Sequence, residues 1–417
     1  MARDEHFSWH AAAHADAGSS DVDGDAGAPG TGGMQSETQT KSTQGAVPML
    51  RQWIKRQPDR DALAIWLGSR ASVYLVAWAV GWFVAGSGVD RPWLDRWVQW
   101  DVVHFQGIAE FGYGGEPTGV PNEAFFPGLP TLLWLGDGIG LPTTVTGLLV
   151  SLVAGAVAAV ALARLGDLEG GQGTGRIAVL LWVAAPPAVF LAAPYTEALF
   201  LGLAIPAWLS ARRGNWAAAG LLAAAACTVR VSGVFLAAAL VVEWLTSRRR
   251  TGWSDMGWLV LPAVPIAGWM IYLWRLTGDS LAWLHAQAEE WNRTFTWPWD
   301  SFWHTWHAAF GGDYARGFAW MFVAEIVAVA LGIALTVGLL WWRRWGEATW
   351  VGLQVLAFTT SFWFFSVPRA TLLWWPLWIW LAVLAARYRA LLWGYLALSV
   401  PLMCMWAMAF LTSRWAG

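Results

Sequence analysis

The run Trp100-Asp101-Val102-Val103-His104-Phe105 sets a carboxylate and an imidazole three residues apart. On a helix that spacing puts both on one face. Such a pair at a membrane interface suits proton abstraction from a hydroxyl and contact with a phosphate. Spacing alone leaves a second reading open, two solvated loop residues. The loop continues through Gly112-Tyr113 to Glu123-Ala124-Phe125-Phe126-Pro127. Later, Pro194-Tyr195-Thr196-Glu197 enters an apolar run, Arg230 interrupts another, and Arg369 follows Pro368. Ionised groups near hydrocarbon are costly and by default mark functional sites. The plain alternative is that each arginine reaches to the interface or pairs with Glu197. Metal ligation has little support: the candidate outer loops hold neither Asp-x-Asp nor His-x-x-x-His, and the chain holds no Cys-x-x-Cys. His304 and His307, beside Trp303 and Trp306, fit an interfacial amphipathic helix better than a ligand set. Asp279 and Asp313 read as solvated or capping residues. No metal and no other cofactor is expected.

The elements that must carry these residues follow from composition. Of 417 residues, 57% are hydrophobic and 13% charged, with a mean hydropathy of +0.44. Soluble domains run at about 45–50% apolar and about 25% charged, so an ordinary soluble enzyme is excluded. An all-α polytopic membrane bundle is expected instead. The net charge of -2 gives no reason to expect a nucleic-acid partner. Residues 1–46 carry seven acids and two bases among Gly, Ala, Ser and Thr, which reads as a disordered acidic tail without the apolar core of a signal peptide. Residues 47–62 form a basic cytoplasmic flank, and 63–417 the membrane domain. Cys227 and Cys404 lie in apolar runs, so no disulfide is expected. Arginine in place of lysine, with abundant Ala, Gly and Trp, hints at a GC-rich bacterial genome.

Apolar runs fall near 63–87, 142–163, 176–192, 195–211, 215–246, 256–276, 318–341, 348–366, 371–386 and 389–411. The 215–246 stretch is too long for one crossing of about 20 residues. Thr228–Gly233 divides it into two short helices, the kind of break found around buried sites. With the N-terminus in the cytoplasm and 125–139 re-entrant, about 11 crossings result. Arg164, Arg176, Arg212-Arg213, Arg248–Arg250, Arg343-Arg344, Arg387 and Arg389 then share the cytoplasmic side. The Trp-rich loops 88–141 and 277–317 fall outside, as amphipathic helices on the outer leaflet.

These motifs resemble, in order, those of the PIG-V family, the GPI mannosyltransferase II enzymes and their actinobacterial relatives in the GT-C glycosyltransferase class. Trp100-Asp101-Val102-Val103-His104-Phe105, then Gly112-Tyr113 and Ala124-Phe125-Phe126-Pro127, resemble its first lumenal loop. Ala193-Pro194-Tyr195-Thr196-Glu197-Ala198-Leu199-Phe200 is similar to its Pro-Tyr-(Ser/Thr)-Glu-x-Leu-Phe motif. Thr228-Val229-Arg230 with Gly233 resembles its Thr-Arg-x-x-Gly segment, with one residue inserted. Thr277-Gly278-Asp279, Gln287 and Trp291-Asn292-Arg293 resemble its second large loop, and Pro368-Arg369 with Trp374-Trp375-Pro376 its late Arg segment. The resemblance spans about 65–411.

The resemblance implies a GT-C-type bundle with its active site away from the cytoplasm. It also implies a polyprenyl-phosphate-linked sugar donor, mannose by analogy, and a lipid or glycan acceptor. Asp101 would be the general base of an inverting transfer. Substrate-binding roles would fall to His104, Glu123, Tyr195, Glu197, Arg230 and Arg369, with the two arginines stabilising charge on the leaving phosphate. The expected location is the bacterial plasma membrane, multi-pass, with the lipid bilayer as a partner. A transporter or flippase of a lipid-linked intermediate is the alternative, since broken helices and intramembrane arginines suit both. The absence of an internal repeat argues for the enzyme.

Overall fold

The computed structural model describes residues 57–84, 91–114, 121–249 and 252–416. The acidic tail 1–46 and residues 47–56 of the basic flank lie outside the described residues. Within them every regular element is a helix. In chain order these are α1 (Gln57–Phe83), α2 (Asp101–Phe111), α3 (Gly128–Asp137), α4 (Thr143–Gly170), α5 (Thr174–Val183) and α6 (Thr196–Arg212). Then follow α7 (Trp216–Cys227), α8 (Ser232–Thr246), α9 (Ser254–Val260), α10 (Ala263–Thr277), α11 (Ala282–Trp291) and α12 (Pro298–Phe310). The last are α13 (Arg316–Trp341), α14 (Trp345–Thr359), the four-residue α15 (Val367–Ala370), α16 (Trp375–Arg387) and α17 (Arg389–Leu411). Short 3₁₀ turns at Asp95–Trp97, Asn122–Ala124, Pro186–Leu191 and Thr371–Leu373 complete the order.

The centre of the bundle is α4 packed on α6. The α4 sequence is Ala-, Leu- and Val-rich without internal proline; Pro142 precedes it and Gly171, at φ +87°, closes it. Small residues let its neighbours approach closely: a Cβ on Gly175 of α5 would stand 1.8 Å from the Ala163 carbonyl oxygen. Helices α1, α5, α16 and α17 pack together on one flank, and α7, α8, α13 and α14 on the other.

Five stretches are long and apolar enough to cross a membrane: Pro58–Phe83, Thr143–Gly170, Ser254–Thr277, Arg316–Trp341 and Arg389–Leu411. Val367–Leu373 with Trp375–Arg387, bent by 72°, makes a sixth. The protein is therefore an all-α polytopic membrane bundle, with fewer full-length spans than the expected eleven. The difference lies in short helices. Helices α5, α7 and α8 are apolar but have only 10, 12 and 15 residues, and α6 and α14 have 17 and 15. At 1.5 Å per residue these reach roughly 15–25 Å, against a hydrocarbon thickness of about 30 Å. Helix α3, inside the segment read as re-entrant, has ten residues.

The break in 215–246 lies where expected, between Cys227 and Ser232. Glycine is required beside it: a Cβ on Gly233 would stand 2.6 Å from the Cys227 Cα. The break is also docked. The Gly128 N–H, at the start of α3, donates to the Thr228 carbonyl at 2.7 Å, and a Cβ on Gly128 would collide with that oxygen at 2.8 Å.

At the opposite end of α6 and α8 a charge network joins four helices. Arg212 bonds Glu243 at 2.8 Å and lies 3.4 Å from Glu169, while Arg344 pairs with Glu169 and Glu347. The three carboxylates are almost fully buried.

Candidate active site

A cavity of about 480 Å³ opens where several helices begin. Asp101, Thr196 and Ser232, which line it, are the first residues of α2, α6 and α8. Three helix N-termini thus face one space, and each carries partial positive charge from its unpaired N–H groups. The walls are aromatic, with Phe105, Phe125, Phe126, Trp283, Trp291 and Phe358 among them. The size and the mix of apolar wall and few polar groups are those of a small-molecule site.

The charged residues form a frame around Glu197, whose side chain is fully buried. Arg369 Nη1 donates to Asp101 Oδ2 at 3.1 Å, and its Nε lies 3.0 Å from Glu197 Oε1. Arg230 Nη1 pairs with the same Glu197 oxygen and donates to Thr196 Oγ1 at 2.8 Å. The Arg369 guanidinium also rests over the rings of Phe190 and Tyr195, 5.2 and 5.4 Å from their centroids. Three arginines, Arg230, Arg293 and Arg369, line the cavity against one carboxylate, Asp101. Burial, and then the like charges of Arg369 and Arg230, lower the Arg293 pKa to about 10. It remains a cation near neutrality.

Local backbone sets these positions. Trp100, Asn292 and Ser366 all have positive φ, at 52°, 51° and 65°. They immediately precede Asp101, Arg293 and the α15 turn that carries Arg369. Non-glycine residues in that region are uncommon and concentrate at functional sites. Ser366 is held from behind by Glu325, fully buried on α13, whose two carboxylate oxygens accept the Ser366 and Val367 N–H groups at 2.8 Å each.

The predicted residues fall into three groups. Asp101, Arg230 and Arg369 line the cavity together, and Glu197 braces the two arginines from behind. Tyr195 lies buried beneath Arg369, its hydroxyl donating to the Gln99 carbonyl at 3.1 Å. His104 and Glu123 are not among the lining residues. His104 instead stacks on Phe125 at 4.9 Å, with Nδ1 3.4 Å from Asn122 Oδ1. Glu123 sits in the 3₁₀ turn next to it. Arg293 and Glu325 were not picked out from sequence as site residues. A signal for Glu325 existed, since it is the one carboxylate inside the apolar run 318–341. His304 Nδ1 donates to the Phe362 carbonyl, 2.9 Å away, and Asp279 caps its own loop by accepting the Leu281 N–H at 2.8 Å. Among the described residues no three His, Cys, Asp or Glu side chains gather as a metal site.

Residues 83–247, which carry Asp101, Glu197 and Arg230, match the model of the mannosyltransferase (PIG-V) family. This part of the chain is PIG-V-like. It resembles GPI alpha-1,6-mannosyltransferase 2 of Mus musculus, 42% identical over 147 residues that cover 33% of this chain and 29% of the relative. The enzyme of the same name from Rattus norvegicus is 41% identical over 147 residues, with the same coverage. That from Homo sapiens is 39% identical over 146 residues, covering 32% of this chain and 29% of the relative. The chain thus matches less than a third of the length of these relatives. The segments with Arg293 and Arg369 lie beyond the family match. No solved structure matches the chain significantly.

Proposed function

We propose that this protein is a membrane mannosyltransferase that moves mannose from a polyprenyl-phosphate donor to a hydroxyl of a lipid or glycan acceptor. The observation that carries the reading is the single cavity in which Asp101 stands among three arginines and three helix N-termini. That arrangement suits a substrate that gains negative charge on one side while losing a proton on the other.

The donor is a phosphodiester with one negative charge. The acceptor oxygen attacks the anomeric carbon and its proton passes to Asp101. The bond from the anomeric carbon to the phosphate oxygen breaks, and its electron pair leaves with the polyprenyl phosphate. Charge thus grows on the phosphate, where fixed cations stabilise it at no cost of reorganisation. Asp101 suits the base: one oxygen is held by Arg369, and a fifth of its side chain is exposed. One base without a covalent intermediate inverts the anomeric centre, by the logic of inverting glycosidases. An alpha product, such as that in the relatives' name, then requires a donor of the opposite anomer. Arg230 and Arg369 contact the phosphate, while Glu197 and Tyr195 hold them in place; His104 and Glu123 shape the rim. The cavity faces away from the cytoplasm, and the protein resides in the bacterial plasma membrane.

The direct test incubates membranes bearing the protein with polyprenyl-phosphate mannose and candidate acceptors, and looks for the product by mass spectrometry. A mannosylated product absent from Asp101→Asn membranes is the expected result. No transfer to any acceptor, with free mannose as the sole product, would defeat the reading.

A further inference from the structure

The three arginines of the cavity are not equivalent. Arg369 and Arg230 are both joined to Glu197, and Arg369 also to Asp101. The Arg293 guanidinium lines the same cavity with no ion pair or side-chain hydrogen bond among the described residues. It lies over the Phe358 ring, 5.5 Å from the centroid.

The backbone that presents it is fixed. The Arg293 N–H donates to the Gln287 carbonyl at 3.2 Å. The Gln287 side chain in turn donates to the Ala124 carbonyl at 3.0 Å, tying α11 to the first loop. Asn292, in the left-handed conformation that ends α11, accepts the Phe362 N–H at 3.2 Å, and the Thr296 N–H donates to the Thr360 carbonyl at 3.0 Å. A half-buried cation with a held backbone, an aromatic wall and two like charges beside it, offset only in part by the Glu325 and Asp101 carboxylates, is an incomplete arrangement. Burying a charge is costly unless it is paired. An anion in the cavity completes it.

We propose that Arg293 is the primary anchor of the donor phosphate, with Arg230 and Arg369, already paired with carboxylates, as its secondary contacts. This rests on the donor class argued above. A planar guanidinium can grip two phosphate oxygens at once. The phosphate monoester left after transfer carries more charge than the diester. Arg293 therefore holds the product more tightly than the donor, and its loss eases product inhibition as well as weakening donor binding.

The test uses the full chain in lipid nanodiscs and two probes, a short-chain polyprenyl monophosphate and the corresponding polyprenol. The wild type should bind the phosphate well above the alcohol. Arg293→Ala should lose about 10- to 100-fold in phosphate affinity, the range of a charged hydrogen bond, and nothing for the alcohol. Arg293→Lys, which keeps the charge but not the fork, should recover part of the loss. Arg293→Gln replaces the alanine variant should that one fail to fold. Phosphate affinity unchanged in a folded Arg293→Ala or Arg293→Gln protein would overturn the assignment and leave the donor class standing. A wild type that binds both probes alike would overturn the donor class, and this proposal with it.

Discussion

Among the described residues Asp101 has one ion-pair partner, Arg369, and a side chain that still reaches the cavity. Its replacement by asparagine keeps shape and hydrogen-bonding reach while removing the base. Transfer should slow by about 100- to 10,000-fold, with donor binding retained because a neutral amide does not repel the phosphate. Asp95→Asn, an exposed acid in the same loop, is the control and should transfer at the wild-type rate. Full activity in Asp101→Asn at normal abundance would move the search to Glu197. At this scale the sequence was informative where a charge breaks an apolar run. Arg230, Arg369 and Glu197 stand out for that reason, and they do meet. Arg293, though part of the Trp291-Asn292-Arg293 motif, carries no such signal, because it sits among polar and aromatic loop residues where a charge is unremarkable. Long-range contacts such as the pairing of Asn292 with Phe362, 70 positions along the chain, bring it to the cavity. His104 shows the reverse case. Its spacing from Asp101 is right for a shared face, yet its ring is stacked against Phe125 outside the lining.

The four-residue α15 is too short to hold itself, and its position is borrowed from α13. Glu325 receives the N–H groups of Ser366 and Val367, the only contacts of its kind that fix the turn ahead of Arg369 among the described residues. Glu325→Gln replaces one acceptor by a donor that would point at an N–H. Stability should fall by about 1–3 kcal/mol, the cost of an unsatisfied buried group, readable as a lower melting temperature. Turnover well below that temperature should also fall, because Arg369 rides on the displaced turn. Unchanged turnover with lowered stability would make Glu325 a purely structural residue. The α7–α8 break was legible as an interruption of an apolar run. What docks on it was not, since Gly128 and Thr228 are a hundred residues apart and nothing local links them.

For the molecule as a whole, arginine placement orients the chain. The 248–255 loop should face the cytoplasm and the 277–317 segment the outside. Cysteines at Ser254 and Asp313, both exposed, can be probed with an impermeant thiol reagent on intact cells after Cys227 and Cys404 are replaced. Labelling at position 313 but not 254 is the expected pattern; the opposite would invert the orientation. Composition sufficed for the all-α membrane class. The full-length helices are fewer than the eleven expected crossings because hydropathy does not tell a long helix from a short one that begins at a cavity. Helices α6 and α8 are of the second kind, beginning at the cavity and ending at the network of Glu169, Arg212, Glu243, Arg344 and Glu347.

That network has a mechanical meaning. Its charges rivet α4, α6, α8 and the start of α14 together at one end, while α6 and α8 begin at the cavity at the other. A bundle fastened in this way behaves like a pair of tongs. Small rotations about the riveted end would open the jaws by larger amounts at the cavity. Backbone amides near Arg212 and Glu243 should exchange with solvent most slowly. Those around Trp100, Asn292 and Ser366 should exchange faster, and a bound lipid would be admitted and released by opening at that end alone.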